Sequence, residues 1–243
     1  MITFKQFLDE SINDKGIFKA VFVIGLPGSG KSYTVQQMSG SVSPRVVNTD
    51  KAAEFLSSKW QKEIRSDSWA EFKDKAHTIT SKLLFNYLNG ALPLFIDGTS
   101  NDISNVLHRI GILESLGYDV GVVFVKASLD TAMKRAESRA ASTGRHVDAE
   151  FIKAVAAKNE ENAAYLKSKV DFFHEVPNDT MTLSDSVMNQ AFKSAQAFFA
   201  EPVNNILGKQ HIAAMKADGQ KYLTPEIIPV DQLEKKIQGW YRS

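Results

Sequence analysis

The sequence predicts an α/β fold: a five-stranded parallel sheet flanked by helices, followed by a helical C-terminal extension. Three observations lead there. Short β-branched runs alternate with longer stretches of helical period, the pattern of repeated β-α-β units. The first apolar run, Ala20-Val-Phe-Val-Ile24, leads directly into a glycine-rich octapeptide and then a helix-compatible stretch from Tyr33 to Met38. At 243 residues, with 43% hydrophobic and 23% charged side chains, the chain is long enough to bury a full core.

In chain order, residues 1–16 are expected to hold a helix at 3–13, residues 17–177 the α/β domain and residues 178–243 the extension. Strands are expected at 19–25, 45–49, 92–97, 119–126 and 170–176, where short apolar runs are bounded by turn residues. Ala53, Leu56, Trp60 and Ile64 recur at helical spacing, as do Val106, Ile110 and Leu113. Asp102 and Ser128 suit N-cap positions. In the extension Val187, Ala191 and Phe198, then Leu233, Ile237 and Tyr241, repeat helically, interrupted by Pro202, Pro225 and Pro229.

The octapeptide at 25–32, Gly-Leu-Pro-Gly-Ser-Gly-Lys-Ser, fits the phosphate-loop pattern G-x-x-x-x-G-K-[ST] in its required strand–loop–helix context. A glycine-rich turn with an incidental lysine is the bland alternative, but its four fixed positions match by chance in roughly one chain of this size in a hundred. The glycines let backbone N–H groups turn inward around a β-phosphate, and the helix start adds its positive dipole end. Gly25, Pro27, Gly28, Ser29, Gly30, Lys31, Ser32 and Tyr33 are therefore the expected triphosphate-binding residues. Lys31 is expected to reach the β/γ-phosphates and Ser32 to ligate Mg²⁺. The chain is thus expected to be a P-loop nucleotide binder.

Two carboxylates follow at strand ends. Asp50 closes Arg45-Val-Val-Asn-Thr-Asp50, at the sheet edge that faces ligands in a parallel α/β fold. There it can accept the proton of an attacking hydroxyl, or cap the helix that follows, or both. Asp97 closes the third strand and is expected in the Mg²⁺ shell with Ser32. Gly98 follows it where hydrolytic motors place a glutamate, and Thr99, Ser100 and Asn101 offer polar groups toward an acceptor or form a polar turn. Arg135 and Arg139 lie four apart on one helix face, and Arg145 follows a small-residue stretch with Gly144 as a joint. Two readings of the arginines are open: a lid closing over the phosphates, or a solvated basic face partnered by Glu137.

Composition narrows the partners. The net charge of +1 argues against a strongly electrostatic nucleic-acid binder, although a local basic cleft fits within it. The absence of cysteine excludes disulfides and thiolate metal sites, and the histidines lack metal-ligand spacing; only His146 falls near the arginine lid. No apolar run approaches the ~20 residues needed to span a bilayer, and the first ten residues lack a signal peptide's apolar stretch. No membrane partner and a cytoplasmic location are expected. The closing Gly239-Trp-Tyr-Arg-Ser243 is expected to dock on the core.

The ordered set of marks resembles the small P-loop kinases that include bacteriophage polynucleotide kinases and zeta toxins. It comprises the loop at 25–32, Asn48-Thr49-Asp50, Asp97-Gly-Thr99, the Arg135/Arg139 spacing and Gly144-Arg145-x-Val147, spread over about residues 19–177. The resemblance implies ATP and Mg²⁺ as cofactors, Asp50 as general base, and Arg139 as a lid arginine at the transition state. It also implies a hydroxyl-bearing acceptor, a polynucleotide (DNA or RNA, at a 5′-hydroxyl or a hydroxymethylated base) or, zeta-like, a nucleotide sugar or other small molecule. Polynucleotide kinases carry an arginine just after the base; here only Lys51 can stand in, and it joins Thr99 as a candidate acceptor-binding residue. The segment 66–90, with Trp69, Phe72 and His77, falls where such kinases build their acceptor site; Trp60 and Trp69 could stack on a base or sit in the core. An ATP-hydrolysing or purely nucleotide-binding interaction module is the alternative of another class. The lack of an Asn-Lys-x-Asp motif and of an Asp-Glu pair counts against a motor or GTP switch.

Overall fold

The computed structural model describes residues 15–40, 42–65, 67–99, 101–143, 145–180, 184–217, 235–236 and 240. The helix expected at 3–13, the joint Gly144, Ser100, and the pattern of Leu233, Ile237 and Tyr241 lie outside the described residues.

Strands β1 (Lys19–Ile24), β2 (Arg45–Val47), β3 (Leu94–Asp97), β4 (Asp119–Lys126) and β5 (Phe172–Pro177) form one sheet in the order β2-β3-β1-β4-β5. Every pairing in it is parallel. The helices among the described residues are α1 (Lys31–Met38), α2 (Thr49–Trp60), α3 (Trp69–Asn89), α4 (Ile103–Ser115), α5 (Leu129–Thr143), α6 (Ala149–Lys167), α7 (Asp185–Ala200) and α8 (Ile206–Ala217).

Strand β1 explains the layering. All six of its residues are buried, because a central parallel strand is covered on both faces. Its alternating side chains divide between two cores. Phe22 and Ile24 meet Leu84 and Leu88 of α3 and Ile110 and Leu113 of α4. Val21 and Val23 meet Val35 and Met38 of α1 and Ala191, Ala195 and Phe199 of α7. Helix α7 therefore supplies one wall of the sheet's packing. It is tied at its far end by Lys19, buried at the start of β1, whose Nζ donates to Asp119 Oδ2 at 2.9 Å and to the Pro202 carbonyl at 3.3 Å.

Several element ends differ from the sequence reading for local reasons. Strand β2 stops at Val47 because Asn48 caps α2, its Oδ1 accepting from Lys51 N at 3.0 Å. Asp50 is thus in the first turn of a helix and is not its cap. Helix α2 ends at Trp60, where Gln61 turns left-handed, so Ile64 is not helical. It is buried instead among Ala52, Ala53, Leu56, Phe72 and Ala76, and bridges to Arg145. The caps expected at Asp102 and Ser128 are present: Asp102 accepts from Asn105 N at 3.1 Å and Ser128 Oγ from Thr131 N at 3.3 Å.

The topology places the site. From β1 the chain builds β2 and β3 to one side, then crosses to β4 and β5 on the other, leaving a switch point at the carboxyl end of β1. Register aligns the strand ends there: Val23 lies opposite Asp97, and Val47 opposite Ile96.

Candidate active site

The phosphate loop leaves β1 and enters α1 through backbone conformations that side chains resist. Gly28 has φ 87°, and a Cβ there would collide with the Ala132 carbonyl of α5. Gly30, φ 94°, is the N-cap of α1 and supplies no side chain to its first amides, which leaves that helix end to an anion. Lys31 Nζ donates to the carbonyls of Gly25 (3.1 Å) and Leu26 (2.9 Å), holding the loop closed around itself. Burial lowers the Lys31 pKa and Arg139 and Arg145 act in the same sense, while Asp97 and Asp50 oppose them.

Asp97 is the hub beside the loop. Its Oδ2 accepts from Ser32 Oγ at 3.3 Å and from Asn48 Nδ2 at 2.6 Å. Burial raises its pKa, and Lys31 pulls it back. Asn48 is therefore used twice, its amide nitrogen on Asp97 and its oxygen on the first turn of α2. The hydroxyl and carboxylate oxygens of Ser32 and Asp97 form a hard-donor pair of the kind that suits Mg²⁺.

Asp50 makes an ion pair with Arg145, which also reaches Glu54 at 3.2 Å. The Arg145 side chain is 12% exposed; burial works against its charge, but Asp50 and Glu54 outweigh it and raise its pKa. The Ile64–Arg145 bridge and the bond from His146 N to the Ile64 carbonyl (3.0 Å) fix the backbone of this arginine across α2. Arg139 shares the same space, its pKa lowered by burial and by Arg145 and supported by Asp50 and Glu54.

Arg135 does something the helix spacing did not suggest. Its guanidinium donates to the carbonyls of Ser29 (3.4 Å), Asn178 (3.1 Å) and Thr180 (2.5 Å) and to Asn178 Oδ1 (3.1 Å). Asn178, 4% exposed, donates in turn to the Ser29 carbonyl at 2.6 Å. Together they clamp the back of the phosphate loop to the chain leaving β5. Glu137 makes no described bond to these arginines, whereas Lys134 pairs with Asp130 at 2.7 Å.

These groups line one cleft of about 940 Å³. Its wall includes Pro27, Gly28, Gly30, Lys31, Ser32 and Tyr33, then Asp50, Lys51, Asp97 and Thr99, then Arg135, Arg139 and Arg145. Gly25 and Ser29 lie behind it in the loop, and the Ser29 hydroxyl is wholly buried. Of the two tryptophans, Trp69 lines the cleft, while Trp60 packs on Phe72 at 5.0 Å between ring centres. His77 and Arg109 also face the cleft. Sequence reasoning passed over Arg109; the available signal was a lone charge in the apolar run from Val106 to Leu113.

The family model AAA_33, an AAA domain, matches residues 21–161, a span holding the phosphate loop, Asp50, Asp97 and the three arginines. A chain from Chloroflexus aurantiacus provisionally described as a kinase superposes with TM-score 0.54 at 14% identity, over 74% of this chain and 98% of that one. One from the PezAT chromosomal toxin–antitoxin system of Streptococcus pneumoniae gives TM-score 0.50 at 15% identity, over 82% and 85%. A chain of the Pnkp1/Rnl/Hen1 RNA repair complex gives 0.48 at 18% identity, over 66% and 48%. No curated protein matches the chain. The fold is that of the P-loop kinases.

Proposed function

The chain belongs to the AAA_33 family, and from that premise we propose that it is an ATP-dependent kinase. It transfers the γ-phosphate to a hydroxyl of a polynucleotide, at a 5′-end or on a hydroxymethylated base. The observation that carries this reading is the shared cleft: Asp50, at the start of α2, opens onto the same space as the loop lysine, with Asp97 and Ser32 beside it.

Each side chain has a task in this reaction. Asp50 takes the proton of the acceptor hydroxyl as its oxygen bonds to the γ-phosphorus; the bond from that phosphorus to the β-bridging oxygen breaks, and ADP leaves. Lys31 exchanges the Gly25 and Leu26 carbonyls for the β- and γ-phosphate oxygens. Ser32 and Asp97 would hold Mg²⁺, which neutralises phosphate charge when bound. Arg139 and Arg145 meet the charge spread over the transferring group, Arg145 turning from Asp50 toward it. Arg135 and Asn178 keep the loop in shape, and Lys51 and Thr99 face the acceptor.

The test is transfer of label from γ-labelled ATP to a panel of acceptors: 5′-hydroxyl DNA and RNA, hydroxymethylated DNA, UDP-N-acetylglucosamine and simple sugars. Label on nucleic acid is the expected result. Label only on the nucleotide sugar would replace the acceptor, and label released only as free phosphate would replace the kinase with a hydrolase.

A further inference from the structure

Glu54 has no task in the reaction proposed above, yet it lines the same cleft. It lies one helical turn beyond Asp50, so the two carboxylates share a face of α2. Like charges at that spacing repel, and Arg145 reconciles them. Its guanidinium divides, Nη2 pairing with Asp50 and Nη1 with Glu54 Oε1 at 3.2 Å. The two carboxylates are 45% and 39% exposed, which leaves each open to a second partner from the cleft, whereas the guanidinium side chain between them is 12% exposed. Burial works against the Arg145 charge, and Asp50 and Glu54 together outweigh it.

The backbone of Arg145 is held while its side chain is free to turn. It bridges Ile64, which is 3% exposed in the cluster between α2 and α3, and the next amide, His146 N, donates to the Ile64 carbonyl at 3.0 Å. Arg145 is thus fastened to the α2–α3 unit that bears both acids, and the guanidinium is the part that moves. In the transfer reaction Nη2 leaves Asp50 for the transferring phosphoryl group. Withdrawing both arms would strand two carboxylates one turn apart without this cation; withdrawing one leaves Glu54 paired and half of the fork in place. A planar guanidinium with donors on both terminal nitrogens allows that division, which the point charge of an ammonium does not.

We propose that Glu54 is a positioning residue for Arg145: it keeps Nη1 while Nη2 passes from Asp50 to the triphosphate. The proposal rests on the kinase reading above and deepens it. Glu54 fixes the pivot of the swing, so that the fork meets the γ-phosphate in one orientation. Nucleotide is then what uncovers the base, because until it binds Arg145 sits on the carboxylate that receives the acceptor's proton.

The experiment measures transfer from γ-labelled ATP to the acceptor that the panel identifies, for the parent, Glu54→Gln and Glu54→Ala. Rates are referred to sites that bind ATP in calorimetry, which removes any unfolded fraction. Glu54→Ala is expected to lower kcat by about thirtyfold with the KM for ATP within about twofold, because nucleotide still binds at the loop and only the arginine is misplaced. Glu54→Gln, whose amide oxygen still accepts from Nη1, is expected to stay within about fivefold of the parent. With Arg145→Gln already in place, Glu54→Ala is expected to change kcat by less than about twofold, since the residue acts through the arginine. A Glu54→Ala protein with the parental kcat overturns the proposal. So does a loss that persists in full beside Arg145→Gln, which would make Glu54 a group acting on the acceptor itself.

A crystal structure with Mg²⁺ and a non-hydrolysable ATP analogue provides a readout that needs no turnover. Nη1 on Glu54 with Nη2 on a γ-phosphate oxygen upholds the pivot. A guanidinium that leaves Glu54 altogether, or one that stays on Asp50, overturns it. If no acceptor is labelled, the kinase reading fails on its own, and this structure decides the role of Glu54.

Discussion

Asn48 offers the sharpest test of how the site is built, because one side-chain amide makes two separable contacts. Its Nδ2 donates to Asp97 at 2.6 Å, and its Oδ1 caps α2 through Lys51 N at 3.0 Å. Asn48→Ser keeps a cap acceptor and loses the bond to the carboxylate. A hydrogen bond to a charged group contributes about 1.5–3 kcal/mol, and the lower end applies because both partners are half-buried. Asn48→Ala loses the cap as well, a further loss of about 1 kcal/mol. The expected losses are therefore about 1.5 kcal/mol for serine and about 2.5 kcal/mol for alanine. Asn48→Asp keeps the cap but sets a second carboxylate against Asp97, so it should fall below serine despite being isosteric. Urea denaturation of the four proteins measures these differences, with the slope checked for constancy. The serine variant, still folded, should lose about a hundredfold in kcat, since both Asp97 and the turn bearing Asp50 shift. Serine and alanine variants as stable as the parent, or a serine variant of full activity, would refute the linkage.

Three further outcomes follow from the geometry. Gly28→Ala meets both a left-handed backbone and the Ala132 carbonyl, so ATP affinity should fall at least about a hundredfold, and near-normal nucleotide binding by calorimetry would show the loop is looser than described. Arg135→Ala removes the clamp on Ser29 and Asn178, and about 2–3 kcal/mol of stability should go with roughly tenfold in ATP affinity. Loss of kcat alone, with both of those intact, would mean that Arg135 acts on the transferring group instead. Arg145→Gln leaves Asp50 and Glu54 facing each other without their cation; kcat should drop about a hundredfold or more in steady-state assays, and a drop within threefold would remove Arg145 from the transition state.

Much of this was legible because the information is local. A phosphate loop is eight consecutive residues in a strand–loop–helix frame, and the apolar runs around Val21, Phe95 and Val122 could only be strands buried on both faces. Asp97 at a strand tip and the caps at Asp102 and Ser128 were likewise readable from their neighbours. The rest depends on which distant segments meet. Ile64 fits a helical period with Ala53 and Trp60, yet the helix ends before it, and it is buried in the cluster that α2 forms with α3. Arg135 and Arg139 share a helix face in sequence, but the carbonyls of Ser29, Asn178 and Thr180 that engage only the first of them come from remote loops. Asn48 reads as a cap and nothing in its surroundings announces Asp97, 49 residues on. Arg109 donates to the Trp240 carbonyl, 131 residues away, and no periodicity couples them.

The central claim is that Asp50 removes a proton from an acceptor hydroxyl while the loop lysine holds the triphosphate. Single-turnover transfer from γ-labelled ATP, run beside calorimetric ATP binding for the parent, Asp50→Asn and Lys31→Ala, tests it most directly. Asn retains an acceptor for Arg145 and cannot take a proton, so transfer should slow by about 10²–10⁴-fold with ATP affinity within a few-fold, whereas Lys31→Ala should lose both. An Asp50→Asn protein that still transfers at a near-parental rate would contradict the account.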